Sequence, residues 1–313
     1  MKNYLVTGGA GFIGSCMAEK LASEKNICVV IVDNFITGSP DKLPDANQYP
    51  NVKFIKCDVN NYEDIASVFY AYKFEYVFHY AALVGVKRTL QNPVAVLEDV
   101  KGLENILRLS KNTGVKRVFY SSSSEVYGEP VEFPQNENTT PLNSRLPYAV
   151  VKNLGESYLR SYKQEFDLHF TIFRFFNTYG PKQSKEFVVS RFINQALKNE
   201  DITIYGDGLQ TRTFCYIDDN IDACFNTIAN ENFIDDVINV GGNEEIAIVS
   251  LAQTIKNVTG SSSKIIHLPP LPEGDMTRRL PDIVKMNQLL NRTKTTLEEG
   301  LKKVLDDRRY IVG

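Results

Sequence analysis

Tyr148 and Lys152 stand four residues apart in Tyr148-Ala149-Val150-Val151-Lys152. On an α-helix that spacing puts both side chains on one face. An ammonium beside a phenol favours the phenolate, so such a tyrosine can take a proton near neutral pH. Upstream, Ser121-Ser122-Ser123-Ser124-Glu125-Val126-Tyr127-Gly128 follows an apolar run and offers hydroxyls and a carboxylate. A third cluster, Thr7-Gly8-Gly9-Ala10-Gly11-Phe12-Ile13-Gly14, places Gly8, Gly11 and Gly14 directly after another apolar run. Glycines so spaced permit a tight turn, close backbone approach to a pyrophosphate and close helix packing, while the helix N-terminus supplies amide donors. Asp33 ends the next apolar run, about 20 residues on. A carboxylate there bonds the ribose hydroxyls of NAD and repels the extra phosphate of NADP, so NAD is the expected cofactor. Asp58, after the third run, either meets the adenine or caps the next helix.

Such clusters need strand–turn–helix units to hold them. Tyr4–Thr7, Cys28–Val32, Val52–Ile55, Tyr76–His79, Val118–Ser121 and Phe170–Arg174 read as strands. Between them, Ile13–Ser23, Tyr62–Tyr72, Val94–Thr113 and Tyr148–Phe166 read as helices. Continuous apolar strands alternating with helices imply an α/β fold, a Rossmann-type doubly wound parallel sheet, with ligands at the carboxyl ends of the strands. After Gly180-Pro181 the elements shorten and Pro/Gly punctuation thickens, which predicts a smaller α+β substrate-binding lobe. The expected division is 1–176 for the Rossmann domain, with about 213–240 returning to it, and 177–212 with 241–313 for the lobe.

The 313 residues carry 35 basic and 38 acidic side chains, a net charge of −3, and 43% are hydrophobic. That composition builds a sizeable core, and without a basic block neither nucleic acid nor an anionic membrane is expected as a partner. Five cysteines, an odd number without a CxxC pair, point to free thiols in a reducing cytoplasm. Three histidines, far apart and away from cysteines, give no metal-ligand spacing, so no metal is expected. No apolar run approaches the ~20 residues that span a bilayer. Gly8–Gly11 interrupts the first apolar run too early for a signal segment.

Taken in order, TGGAGFIG, SSSSEVYG and YAVVK, followed by Arg174-Phe175-Phe176-Asn177-Thr178-Tyr179-Gly180-Pro181, Gly206-Asp207-Gly208-Leu209-Gln210-Thr211-Arg212 and Arg278-Arg279-Leu280-Pro281-Asp282, resemble one family over nearly the whole chain. It is the extended short-chain dehydrogenase/reductase family, in its group of NAD-dependent nucleotide-sugar epimerases, dehydratases and decarboxylases. The resemblance implies a cofactor site of Gly8, Gly11, Phe12, Ile13, Gly14, Asp33, Asn34, Asp58, Val59, Ala81 and Ala82, joined by Tyr148 and Lys152. Tyr148 would remove the proton of the sugar 4-OH, Lys152 would assist it and hold the nicotinamide ribose, and Ser123, with Ser124 beside it, would bond the same sugar oxygen. Asn177 and Arg212 would meet the diphosphate of a UDP-linked nucleotide sugar. Val188, Val189 and Tyr205 lie where the family packs the base, or else form lobe core. Lys87 and Arg88 fall near the sugar pocket. Family members often form homodimers through a four-helix bundle, here from about Val94–Thr113 and Tyr148–Phe166.

A few side chains separate the branches. Dehydratases carry Asp-Glu before Val-Tyr-Gly, where this chain has Ser124-Glu125. UDP-glucuronate decarboxylases have Ser-Glu-Val-Tyr-Gly and an arginine two residues before a proline, matched by Glu125 and Arg279. Epimerases more often place the arginine one position earlier, matched by Arg278, and Tyr148-Ala149-Val150-Val151-Lys152 is closer to theirs. The resulting expectation is a UDP-glucuronate decarboxylase forming UDP-xylose through a 4-keto intermediate. The alternative is a UDP-sugar 4-epimerase. A 4,6-dehydratase or a non-catalytic NAD-binding regulator ranks behind both.

Overall fold

The computed structural model describes residues 1–270 and 278–307. The apolar runs of the first half form strands one to three residues longer than the sequence pattern suggests. In order come β1 (Lys2–Thr7), α1 (Phe12–Ala22), β2 (Ile27–Asp33), β3 (Val52–Lys56), α2 (Tyr62–Ala71), β4 (Phe74–His79), α3 (Val86–Gln91), α4 (Pro93–Leu97), α5 (Asp99–Thr113), β5 (Arg117–Ser123), α6 (Pro147–Phe166) and β6 (His169–Phe175). Then follow β7 (Thr178–Tyr179), α7 (Val188–Leu197), β8 (Ile202–Tyr205), β9 (Thr211–Arg212), β10 (Cys215–Tyr216), α8 (Ile217–Asn226), β11 (Asp236–Val240), β12 (Ile246–Ala247), α9 (Ile248–Thr259), β13 (Ile265–Leu268), α10 (Val284–Leu289) and α11 (Leu297–Asp306).

Seven strands make one sheet in the order β11-β6-β5-β4-β1-β2-β3, and the pairings from β3 across to β5 are parallel. All seven residues of β2 are buried, as in a sheet covered on both faces. Leu5, Val30, Val77, Val118 and Ile172 pack with Leu103, Ile106 and Leu107 of α5 in one apolar cluster. The chain winds from β1 to β3 and then returns to lay β4 on the other side of β1. The order therefore reverses between β1 and β4, and the crevice beyond their carboxyl ends is where this architecture binds ligands.

One expected element is divided. The single helix expected over Val94–Thr113 is α4 and α5, which Glu98 alone separates. Pro93 opens α4, since its ring sets φ and removes a donor that the first turn does not use. Glu98 keeps a right-handed helical backbone at φ −68° and ψ −19°. α3 lies ahead of both.

The chain divides into two compact units: 1–126, 144–174 and 221–238, then 127–143, 175–220 and 239–313. In the second, the strands are short and paired in twos: β7 with β10, β9 with β12, and β8 with β13. Thr296 and Glu299 form a capping box at the start of α11. Among the described residues, no helix is long and apolar enough to cross a membrane.

Candidate active site

In the first unit, the loop after β1 is fastened to the end of β4. Thr7 Oγ1 accepts from the amides of Tyr80 and Ala81, each at 3.1 Å, and lies 2.9 Å from His79 Nδ1. Gly8 has φ +68°, and a Cβ there would sit 2.7 Å from the Ala81 backbone, so no other residue fits without displacing it. Gly11 is the N-cap of α1 and supplies no side-chain cap, and the first turn, Phe12-Ile13-Gly14, holds no acidic residue. Its amide donors therefore have no side-chain acceptor and suit phosphate. At the end of β2, buried Asp33 accepts from Ala10 N at 3.0 Å and Phe35 N at 2.8 Å, which ties the loop to the position expected for a ribose. Asn34 Oδ1 accepts from Ile36 N. These observations fit a dinucleotide: a close backbone approach, an uncapped helix N-terminus and a carboxylate one strand away.

The bland alternative for Asp58 does not hold. The cap of α2 is Asn61, which accepts from Glu63 N and Asp64 N, whereas Asp58 closes a short turn by accepting from Asn60 N at 2.9 Å. The Val59 carbonyl accepts from Asn105 Nδ2.

β5 delivers the serines and α6 the Tyr/Lys pair. Gly155 lets α6 settle on β5: a Cβ there would come within 2.3 Å of the Tyr120 hydroxyl. Three residues earlier, Lys152 Nζ donates to the Ser121 carbonyl at 2.6 Å. The ammonium lies 5.7 Å from the centroid of the Tyr148 ring and 5.0 Å from that of Tyr120. Ser123 and Ser124 are buried and Glu125 is half-buried; Ser123 Oγ accepts from Glu125 N at 3.2 Å. His79, Ala81, Ala82, Asp99, Leu103, Tyr120, Tyr148, Val151 and Lys152 line one cavity. Burial pushes the Lys152 ammonium down to about 8, against the pull of Asp99. Burial, with the Lys152 charge, takes His79 down to about 3, so this imidazole is neutral.

Two features escaped the sequence reading. Asp99, the first residue of α5, enters the cavity lining and accepts from Leu83 N at 2.7 Å; inside an amphipathic helix pattern nothing marks it. Glu156 lies one turn beyond Lys152 on α6, and its spacing of four from Lys152 was the available signal. It accepts from Ser122 Oγ at 2.6 Å and from Arg174 Nε and Nη2 at 2.9 and 2.7 Å, all buried.

The second unit carries the remaining candidates. Asn177, at φ +34°, donates through Nδ2 to the Thr213 carbonyl at 3.0 Å. Arg212 is buried on β9 and donates to the Thr211 carbonyl. Val189 is core and Val188, at the start of α7, is half-buried. Tyr205 ends β8, with the Arg191 guanidinium 5.5 Å from its ring centroid. The neighbouring arginines differ. Arg278 makes a two-pronged bridge to Glu245, at 2.6 Å on each side, and stacks 4.1 Å from the Phe133 ring centroid. Arg279 is 6% exposed. In the first unit, Arg88 donates to the Val84 carbonyl; Lys87 is on α3, with its side chain outside the described residues.

Comparison with known proteins agrees with this geometry. Residues 4–241 match the model of the NAD dependent epimerase/dehydratase family. A UDP-N-acetyl-α-D-glucosaminuronate decarboxylase of Bacillus cytotoxicus is 35% identical, over 99% of this chain and 98% of that protein. UDP-glucuronic acid decarboxylase 5 of Arabidopsis thaliana is 34% identical, over 99% and 90%. Among solved structures, the UDP-glucose 4-epimerase of Thermotoga maritima, with UDP-glucose, superposes with a TM-score of 0.91 at 33% identity, covering 98% of each chain. With its glycine loop, Asp33 and the Tyr148/Lys152 pair in this arrangement, the chain is an enzyme of the NAD dependent epimerase/dehydratase family.

Proposed function

We propose that the protein decarboxylates a UDP-linked uronic acid, UDP-glucuronate to UDP-xylose, through a 4-keto sugar. The observation that carries this choice is the contrast between the two arginines. Arg278, in the position epimerases more often use, is engaged by Glu245 and Phe133, while Arg279, in the decarboxylase position, is buried and outside that bridge. Ser124-Glu125 and the two decarboxylase relatives support the same reading.

Gly8, the amides that open α1, and Asp33 would hold NAD. When bound, NAD accepts a hydride from C4 of the sugar and later returns it. The Lys152 ammonium stabilises the Tyr148 phenolate, which takes the 4-OH proton as C4 is oxidised and so becomes the neutral phenol. Ser123 bonds the same oxygen. The 4-keto acid is a β-keto acid: its C5–carboxylate bond breaks, CO2 leaves and the electron pair stays as an enolate. Arg279 holds the carboxylate or orients the ring beforehand, and Glu125 positions the ring and the proton source for C5. Tyr148 finally gives its proton back to the C4 oxygen. Asn177 and Arg212 take the diphosphate, and Val188 and Tyr205 the base.

The second reading, a UDP-sugar 4-epimerase, is favoured by the catalytic helix sequence and by the Thermotoga structure. In it the 4-keto sugar turns over and is reduced on its other face, with no carbon lost. Incubation with UDP-glucuronate, and separately with UDP-glucose and UDP-N-acetylglucosamine, followed by mass analysis, tests the choice. Loss of CO2 from UDP-glucuronate is expected, and Arg279→Ala abolishes it. Epimerisation without mass change replaces the proposal with the second reading. We further place the enzyme in the cytoplasm, supported by five cysteines that form no disulfide, and as a homodimer. Exposed Val94 and Leu97 on α4 and Val150 and Leu154 on α6 support an apolar helical contact.

A further inference from the structure

The cavity that holds Lys152 and Tyr148 has an acidic wall. Asp99 projects into it from the start of α5, with Oδ2 accepting the Leu83 amide at 2.7 Å. Each other element around it presents a group that does not carry a free negative charge. From β4 comes His79, a neutral imidazole beside Thr7. From β5 comes Tyr120, whose phenol burial keeps protonated. Besides Tyr148 and Lys152, α6 brings Glu156, neutralised by Arg174. Asp58, after β3, acts against the ionisation of Asp99 but is not part of the cavity lining. Asp99 is therefore the one carboxylate among the described residues lining the cavity with Lys152.

We propose that Asp99 is a positioning residue acting through Lys152: its carboxylate keeps the Lys152 ammonium charged in a water-poor cavity, and so sets the upper pH limit of proton transfer by Tyr148. The proposal rests on the reading of Tyr148 as the proton acceptor. Burial drives Lys152 down to about 8, and the Asp99 charge acts in the opposite direction. Reciprocally, burial lifts the Asp99 carboxyl above the usual carboxylate range, with the Leu83 amide and Lys152 opposing the rise. Without that negative charge the ammonium loses its proton at lower pH, and the alkaline limb of activity moves toward acid.

Asp99→Asn tests this, since the amide keeps an oxygen for the Leu83 N–H and removes only the charge. In protein labelled with carbon-13 at lysine Cε, with Lys152→Arg used to assign the resonance, the Lys152 titration midpoint is expected to fall by about one pH unit in Asp99→Asn. The alkaline limb of kcat should follow, with KM for the nucleotide sugar unchanged. Asp99→Glu, which restores the charge, should recover most of both shifts. A midpoint in Asp99→Asn equal to the parent's overturns the proposal. A midpoint that moves while the limb of kcat stays put overturns the role of Lys152 in proton transfer, and the proposed pH limit with it. If the asparagine variant does not fold, Asp99→Ser removes the same charge and carries the same two outcomes.

Discussion

Lys152 and Glu156 lie one helical turn apart along α6, and at each a buried cation is held, Lys152 itself and Arg174 of β6, which the protein treats in opposite ways. Arg174 meets Glu156 through two hydrogen bonds, with Ser122 adding a third to the same carboxylate. Lys152 meets the neutral carbonyl of Ser121 at 2.6 Å, and burial lowers its ammonium to about 8. A matched pair of buried charges is satisfied by its own hydrogen bonds, and it fixes α6 to β5 and β6. A buried cation held by neutral oxygens and a carboxylate that only lines the same cavity remains free to respond to its surroundings, as a group that handles protons must. One helix thus carries a structural centre and a chemical one on the same face.

The largest effect should come from the chemical centre alone. Tyr148→Phe is expected to lower kcat ~10²–10⁴-fold, with its urea midpoint and nucleotide-sugar binding near the parent's, because the ring fills the same space. A rate within threefold of the parent would remove Tyr148 from the mechanism.

Glu156→Ala breaks the structural centre instead. It leaves the Arg174 guanidinium buried beside Ser122 without its carboxylate, and about 3–5 kcal/mol of stability should be lost in urea denaturation. A loss below 1 kcal/mol would show that the two centres do not differ as described.

Lys152→Met sharpens the contrast through pH. The folded value of about 8 lies below the free value of 10.5, so folding binds the Lys152 proton less well than the unfolded chain does. The cost is therefore complete below pH 8 and disappears as pH rises from about 8 to about 10.5. Relative to Lys152→Met, the parent should gain up to about 3 kcal/mol across that window, as followed by thermal or urea unfolding at each pH. A flat difference between the two proteins contradicts the depressed value.

Asp33→Ala gives the smallest expected effect, about a tenfold loss of preference for NAD over NADP, the scale of one charge-assisted hydrogen bond. Its loop contacts with Ala10 and Phe35 would be lost as well, so the preference ratio, rather than affinity for NAD alone, is the measurement that bears on Asp33. An unchanged ratio would assign the carboxylate to the loop only.

Sequence alone determined the features that depend on short, regular spacing. The apolar run of β2 that ends in Asp33, the turn at Gly8 and two side chains four apart on α6 are each written within a few residues, because strand, turn and helix repeat over that distance. Tertiary structure alone decided what meets across the fold. That Asp99 lines the cavity of Lys152, that Arg278 is held by Glu245 rather than left beside Arg279, and that residues 127–143 fold with the second unit depend on pairings tens of residues apart. No local periodicity encodes such pairings. The same carboxylate at position 99 would read as a solvated helix residue until packing carried it out of water and opposite a buried ammonium, where burial and charge together give it a role.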